Sequence, residues 1–305
     1  MSEHLTHIAV YEDAASFVLH TDRFCNAFRQ CIEEHYDSGL VTSGTRGNHI
    51  FAVPILEKYK DNWDEASISK EAKMQVAGSI GWLTHRAADL EMKPTWRARK
   101  EADPAFNDSE MQIYHDAVVV HKVYSGGQVS TRSPYEVITP HILEKAMSSH
   151  PASTYLHTSK VEELITLLYQ KEFVELHQFH KNGPDVDQWM NDFVEYHQEF
   201  TEDLRLYMEA FTRPDPEKME SYVHSINFYD ENDPLIRWAR GIRANQDISE
   251  IDLDDALVQA EGQSHYSKAL LKAYRFLSDA SSYFENELEK NALYDTLGMP
   301  ENQRP

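Results

Sequence analysis

His85 and Asp89 stand four residues apart in the run from Val76 to Leu90, most of which is apolar. On a helix that spacing puts both side chains on one face, a single turn from each other. Gly78 and Gly81 lie on or near the same stripe and leave room for another backbone to come close. Such a run reads as interior, where a charged pair needs a partner. Two chemistries satisfy it: coordination of a metal ion, or a metal-free hydrogen bond between imidazole and carboxylate.

The chain holds 16 histidines in 305 residues, and several fall where a loop or a rigid helix would present them. His7 lies near the N-terminus, His49 follows Gly47-Asn48, and His115 is adjacent to Asp116. Neighbours on an ideal helix point about 100° apart, so His115 and Asp116 share only an ion lying between their two directions. Nitrogen and oxygen donors without thiolates suit zinc, with iron or manganese as alternatives. Helical bundles build catalytic centres from ligands dispersed in this way over several helices. A divalent ion so held activates water and polarises a phosphoryl or carbonyl oxygen. A second group, Glu172, Glu175, His177 and His180, reads as a solvated helix face or as the rim of a pocket. The sequence contains no Walker-type glycine loop, no HExxH and no GxSxG.

The elements that must position these residues are helices. Glycine and proline number only 11 and 12, and apolar residues recur at three-to-four spacing through most of the chain. The pattern predicts an all-α, multi-helix bundle. Thr6 to about Glu34 reads as two helices with a break near His20-Thr21-Asp22, where Thr21 is placed to cap. Asp37 to His49, with three glycines and several hydroxyl residues, reads as a loop leading into a helix over Ile50–Tyr59. Ser69 is an N-cap with Glu71 in the first turn, and the helix it starts is expected to stop before Pro94. Ser109–Tyr124 is predicted helical despite its β-branched residues, ending at Gly126-Gly127. Residues 125–160 carry three prolines and mark the best internal boundary, dividing 1–125 from 126–305 within one continuous domain. Beyond it, Val161–His180 is a predicted helix, and Trp189, Phe193, Tyr196, Phe200, Leu204, Tyr207 and Phe211 form a core ladder at helical spacing. Helices follow over 217–227, 234–244 and 263–289, with a helix start in the acidic run Glu250–Asp255. The polar tail after Gly298 is expected to fray.

The formal net charge of −22 argues against a nucleic-acid backbone as partner and leaves room for cations. Cys25 and Cys31, six residues apart, fall on different faces of one helix, which excludes a disulfide scaffold or a thiolate metal site. No run reaches the ~18 apolar residues of a membrane span, and no basic-then-apolar leader opens the chain. A cytoplasmic chain is the expectation.

Three stretches carry a resemblance to a known family. Leu5-Thr6-His7-Ile8-Ala9, then Gly47-Asn48-His49, then Gly81-Trp82-Leu83-Thr84-His85-Arg86-Ala87-Ala88-Asp89 together resemble the zinc-dependent phospholipase C family, related to the helical P1-type nucleases. The likeness covers roughly the first 125 residues. It implies an all-helical fold, a cluster of up to three zinc ions, and cleavage of phosphodiester bonds. It makes His7, His49, His85 and Asp89 metal ligands, with His115 matching a later ligand helix and Asp116 the nearest substitute for that helix's carboxylate. Lys93 stands before Pro94 where the family has a histidine, and Val119 stands where it has a glutamate.

The function expected from these readings is metal-dependent hydrolysis of a small-molecule or lipid phosphate ester by metal-activated water. Asp89, Lys93 and Asp116 are the expected catalytic groups, Lys93 being preferred over Arg86 for neutralising substrate charge. Iron or manganese at the same ligands would permit a redox step instead. A non-catalytic helical binding or scaffold protein, its histidines serving the core, is the remaining alternative.

Overall fold

A computed structural model of the chain describes residues 4–44, 49–64, 67–123 and 213–304, with 195, 202–203, 205–207 and 209–210 between. Every regular element among these residues is helical, as the sequence pattern predicts. No helix among them is long and apolar enough to cross a membrane. The predicted helix over 161–180, the cluster Glu172, Glu175, His177 and His180, and most of the aromatic ladder lie outside the described residues. Tyr207, from that ladder, is buried.

Contacts divide the chain into two units whose segments alternate in sequence. One comprises residues 1–5 and 107–225, the other 6–106 and 226–305. The boundary expected at 125/126 falls inside the first of these.

The second unit is arranged about α4, Lys70–Ala102, which packs on α2 (Asn26–Gly44), α3 (His49–Lys60) and α9 (His265–Phe284). Ser69 caps α4 by accepting the Ala72 N–H at 3.2 Å, so the expected start is correct. The expected end is not: α4 continues through Pro94 to Ala102. Proline there removes one backbone hydrogen bond, but Met92 and Trp96 on either side are buried, and Arg97 to Ala102 are good helix formers.

The segment read as a loop from Asp37 is helical as far as Gly44, after a non-helical residue at His35 (φ −138°, ψ 41°). Its small residues serve close packing rather than chain freedom. A Cβ on Gly39 would lie 2.3 Å from the Tyr11 hydroxyl, and Thr42 Oγ1 donates to the Gly78 carbonyl of α4 at 2.7 Å. Thr21 closes the end of α1 (His4–His20) by donating to the Phe17 carbonyl at 2.7 Å, instead of capping the next helix.

α1 is buried almost all round, as a helix apolar on every side must be. It nevertheless carries Glu12 and Asp13, both buried. Arg243, at the end of α7 (Pro234–Arg243), pairs with both carboxylates, and the Tyr266 hydroxyl donates to Asp13 at 2.8 Å. Buried charge is tolerated when it is paired in this way. α8 (Leu253–Gln259), capped by Asp252, packs on α7, and α10 (Lys290–Thr296) packs on α9. The tail does not fray as expected. Met299 is buried, Arg86 donates to the carbonyls of Leu297 and Gly298, and Arg304 Nε donates to the Met299 carbonyl.

In the first unit, α5 (Asp108–Lys122) is capped by Asn107 and packs on α6 (Pro216–Met219) and on the π-helical turn Glu220–His224 that continues it. Glu110 of α5 pairs with Lys218 and accepts the Tyr222 hydroxyl at 3.0 Å.

Candidate metal centre

His7 from α1 meets His85 and Asp89 of α4, all three buried in the second unit. His7 Nε2 lies 3.3 Å from Asp89 Oδ1, and His85 Nε2 lies 3.4 Å from Asp89 Oδ2. The two imidazoles face each other with centroids 4.2 Å apart and planes inclined by 31°. One ligand atom from each residue lies within 4.8 Å of the other two.

The close approach of two helices sets this geometry. A Cβ on Gly81 would fall 2.0 Å from the Gly39 carbonyl oxygen, so only glycine allows α2 to lie this near α4. The same crossing brings the Ser43 carbonyl of α2 within 2.7 Å of His85 Nδ1. A carbonyl only accepts, so the Nδ1 proton is committed to Ser43 and fixes the tautomer. Burial, and next the neighbouring His7, push the His85 imidazole below its ordinary basicity. A neutral His85 of that tautomer turns a bare Nε2 lone pair toward Asp89.

Burial works to raise the Asp89 carboxyl, but the imidazoles of His7 and His85 outweigh it and hold the group well below the usual carboxylate range. His85 Nε2 and Asp89 Oδ2 face each other at 3.4 Å, and the Lys93 ammonium sits on the same oxygen. A divalent ion placed among the three residues would take a ligand atom from each. Ligands about 2.1 Å from a tetrahedral zinc lie roughly 3.4 Å apart, close to both separations observed. Two imidazole nitrogens and one carboxylate are also a donor set of the kind that a catalytic divalent ion takes.

Lys93, one turn beyond Asp89, places its ammonium on Asp89 Oδ2 while about a third of its side chain stays in solvent. Arg86 donates to the carbonyls of Leu297 and Gly298. His49 opens α3. Tyr59 and Gln75 are hydrogen bonded at 2.9 Å and Phe51 lies against Trp82, so α3 and α4 run antiparallel. That register carries the backbone of residue 49 to the level of residues 84–85. His115 and Asp116 belong to the other unit, where His115 Nε2 donates to the Tyr222 carbonyl at 2.7 Å and Asp116 accepts the Tyr207 hydroxyl at 2.6 Å. The residue that sequence reading missed is Ser43, which acts through its backbone and leaves no trace in residue type.

Compared with protein-family models, with curated proteins and with solved structures, the chain finds no match.

The depressed basicity of His85 has a measurable consequence. The unfolded chain takes up this proton near pH 6.5, whereas the folded chain resists it to lower pH. The unfolded state therefore binds more protons as pH falls through 6.5, and metal-free stability declines there by up to about 1.4 kcal/mol per pH unit. Urea midpoints of the chelated protein between pH 7.5 and 5.5 should show that decline, and His85→Asn should flatten it. Equal slopes for the two proteins would mean that His85 protonates as readily folded as unfolded.

Proposed function

We propose that the chain is a metal-dependent hydrolase of phosphate esters, holding a divalent ion, zinc foremost, between His7, His85 and Asp89. The observation that carries this reading is the convergence of ligand atoms from His7, His85 and Asp89 within 4.8 Å of one another, with Nδ1 of His85 held on the Ser43 carbonyl. His49 is the fourth ligand in this reading, supported by the α3–α4 register and by the Gly-Asn-His stretch. A divalent ion at these ligands lowers the pKa of a coordinated water and draws charge from a phosphoryl oxygen. Asp89 supplies the only negative charge in the triad, and the Lys93 ammonium both anchors it and offers its solvent side to a substrate anion. The choice of phosphate esters rests on the family likeness of the Gly-Trp-Leu-Thr-His-x3-Asp segment.

One observation favours a second reading. Asp89 already has an ammonium partner in Lys93, so the cluster also functions as a metal-free ion-pair network in a scaffold protein. Elemental analysis and hydrolysis of bis(4-nitrophenyl) phosphate, before and after chelation, separate the two. Zinc in the purified protein, with activity lost on chelation and restored by added zinc, is the expected result. Protein that takes up no divalent ion, or hydrolyses equally well without one, removes the metal-dependent hydrolase reading. Bound iron in place of zinc would move the chemistry toward oxygen or peroxide, since two histidines and one carboxylate also form the facial triad of non-haem iron.

A further inference from the structure

Beyond Asp89, α4 displays hydrogen-bond donors on the face that leads away from the metal centre. Lys93, Trp96, Arg97 and Lys100 follow Asp89 by 4, 7, 8 and 11 residues. At 100° per residue all four fall within about 80° of Asp89 around the helix, and at 1.5 Å per residue they extend about 6 to 16 Å along it. The helix is continuous over this stretch. Of its acidic residues, Glu91 is committed to His265 and Lys272 across from the stripe, and Glu101 lies one turn beyond Arg97, about 40° from it around the helix.

Two members of the stripe have unused donors. Trp96 is 6% exposed, yet its buried indole N–H has no hydrogen-bond partner. Arg97 is exposed and forms no hydrogen bond or ion pair among the described residues. Ammonium, indole N–H and guanidinium share one property: they donate and never accept. A group that satisfies all of them is an anion rich in acceptor oxygens. In a chain of net charge −22 such a concentration of cationic donors stands against the overall field.

We propose that this stripe is a second anion subsite, and that the substrate is a small phosphate ester carrying a further phosphate group. Its reacting phosphate sits at the His7, His85 and Asp89 centre, and its second phosphate sits against Lys93, Trp96 and Arg97. This assignment rests on the hydrolase reading for the first phosphate, but not for the second.

Calorimetry on the full-length protein tests it, with hexane-1,6-diol bisphosphate, hexyl phosphate and inorganic phosphate as probes and zinc content read in parallel. In the zinc-loaded protein the bisphosphate is expected to bind at least tenfold more tightly than the monophosphate, and Arg97→Gln should erase most of that preference. Trp96→Phe, which keeps the ring and removes the N–H, should lower it about threefold. Without zinc, inorganic phosphate should still bind the wild type and do so more weakly in Arg97→Gln. Zinc uptake together with equal affinity for mono- and bisphosphate, or a preference that survives Arg97→Gln, overturns the subsite and leaves the hydrolase reading intact. Absence of zinc uptake with Arg97-dependent phosphate binding overturns the hydrolase reading and retains the subsite. A hexathymidine oligonucleotide that binds more tightly than the bisphosphate would overturn the small-molecule assignment.

Discussion

Asp89→Asn is expected to weaken zinc binding at least 100-fold while leaving the fold in place. The substitution keeps the volume of the side chain and one acceptor oxygen, and removes the only anionic ligand of the triad. A zinc ion bound only to the native state would stabilise it according to its free concentration relative to its dissociation constant, by about 2.7 kcal/mol at a hundredfold excess. The variant should forfeit that increment, so its deficit against the wild type is larger in zinc than in chelator. In the chelated proteins the comparison reads the loss of the Lys93 ion pair together with that of the charge facing His7 and His85. Because about a third of Lys93 already reaches solvent, the discounted cost of losing that pair is about 1 kcal/mol or less. Denaturation midpoints with zinc and with EDTA, alongside calorimetric zinc titration, provide the test. A deficit of equal size in both conditions would make the cluster a structural network and end the metal reading.

Gly81→Ala should damage both the fold and the centre, whereas Gly78→Ala, one turn earlier, should damage neither. At Gly81 the new methyl group meets the Gly39 carbonyl oxygen at 2.0 Å and Thr42 Oγ1 at 2.2 Å, so α2 has to retreat. Overpacking of this kind costs about 1–3 kcal/mol, well above the gain of up to ~1 kcal/mol that alanine brings to a helix interior. The retreat also draws the Ser43 carbonyl away from His85 Nδ1 and frees the imidazole to rotate. Loss of such a supporting hydrogen bond lowers metal affinity about 10- to 100-fold. At Gly78 the nearest atom is the Thr42 methyl at 3.3 Å, a contact that a small side-chain adjustment relieves. Gly78→Ala is therefore a control with the same chemistry and almost the same address. Equal stability and zinc affinity in the two variants would mean that the helix crossing does not set the site.

What the sequence made legible follows from the range over which each signal acts. Helical periodicity is local, and the helices at α1, α3, α4, α5, α7 and α9 start within a few residues of their expected positions. The errors arose where one residue type serves two purposes. Gly39, Thr42 and Gly44 carry the composition of a loop, yet they sit in a helix because Tyr11 and α4 press against it. Pro94 carries a stop signal that buried neighbours override. Within the site, His85, Asp89 and Lys93 share one helix, so four-residue spacing sufficed to relate them. His7 lies 82 residues from Asp89, so no spacing related the two; it stood among the candidate histidines, and the family likeness grouped it with them. Arg243, which neutralises Glu12 and Asp13 from some 230 residues away, gave no signal at all.

The alternation of the two units along the chain constrains the order of events during synthesis. His7, His85 and Asp89 all leave the ribosome before residue 107, yet α9, against which α4 packs, begins only at His265. At about 5–20 residues per second, translating residues 107–225 alone takes roughly 6 to 24 seconds. Throughout that interval the nascent N-terminal helices lack their C-terminal cover and the Arg243 counter-charge for Glu12 and Asp13.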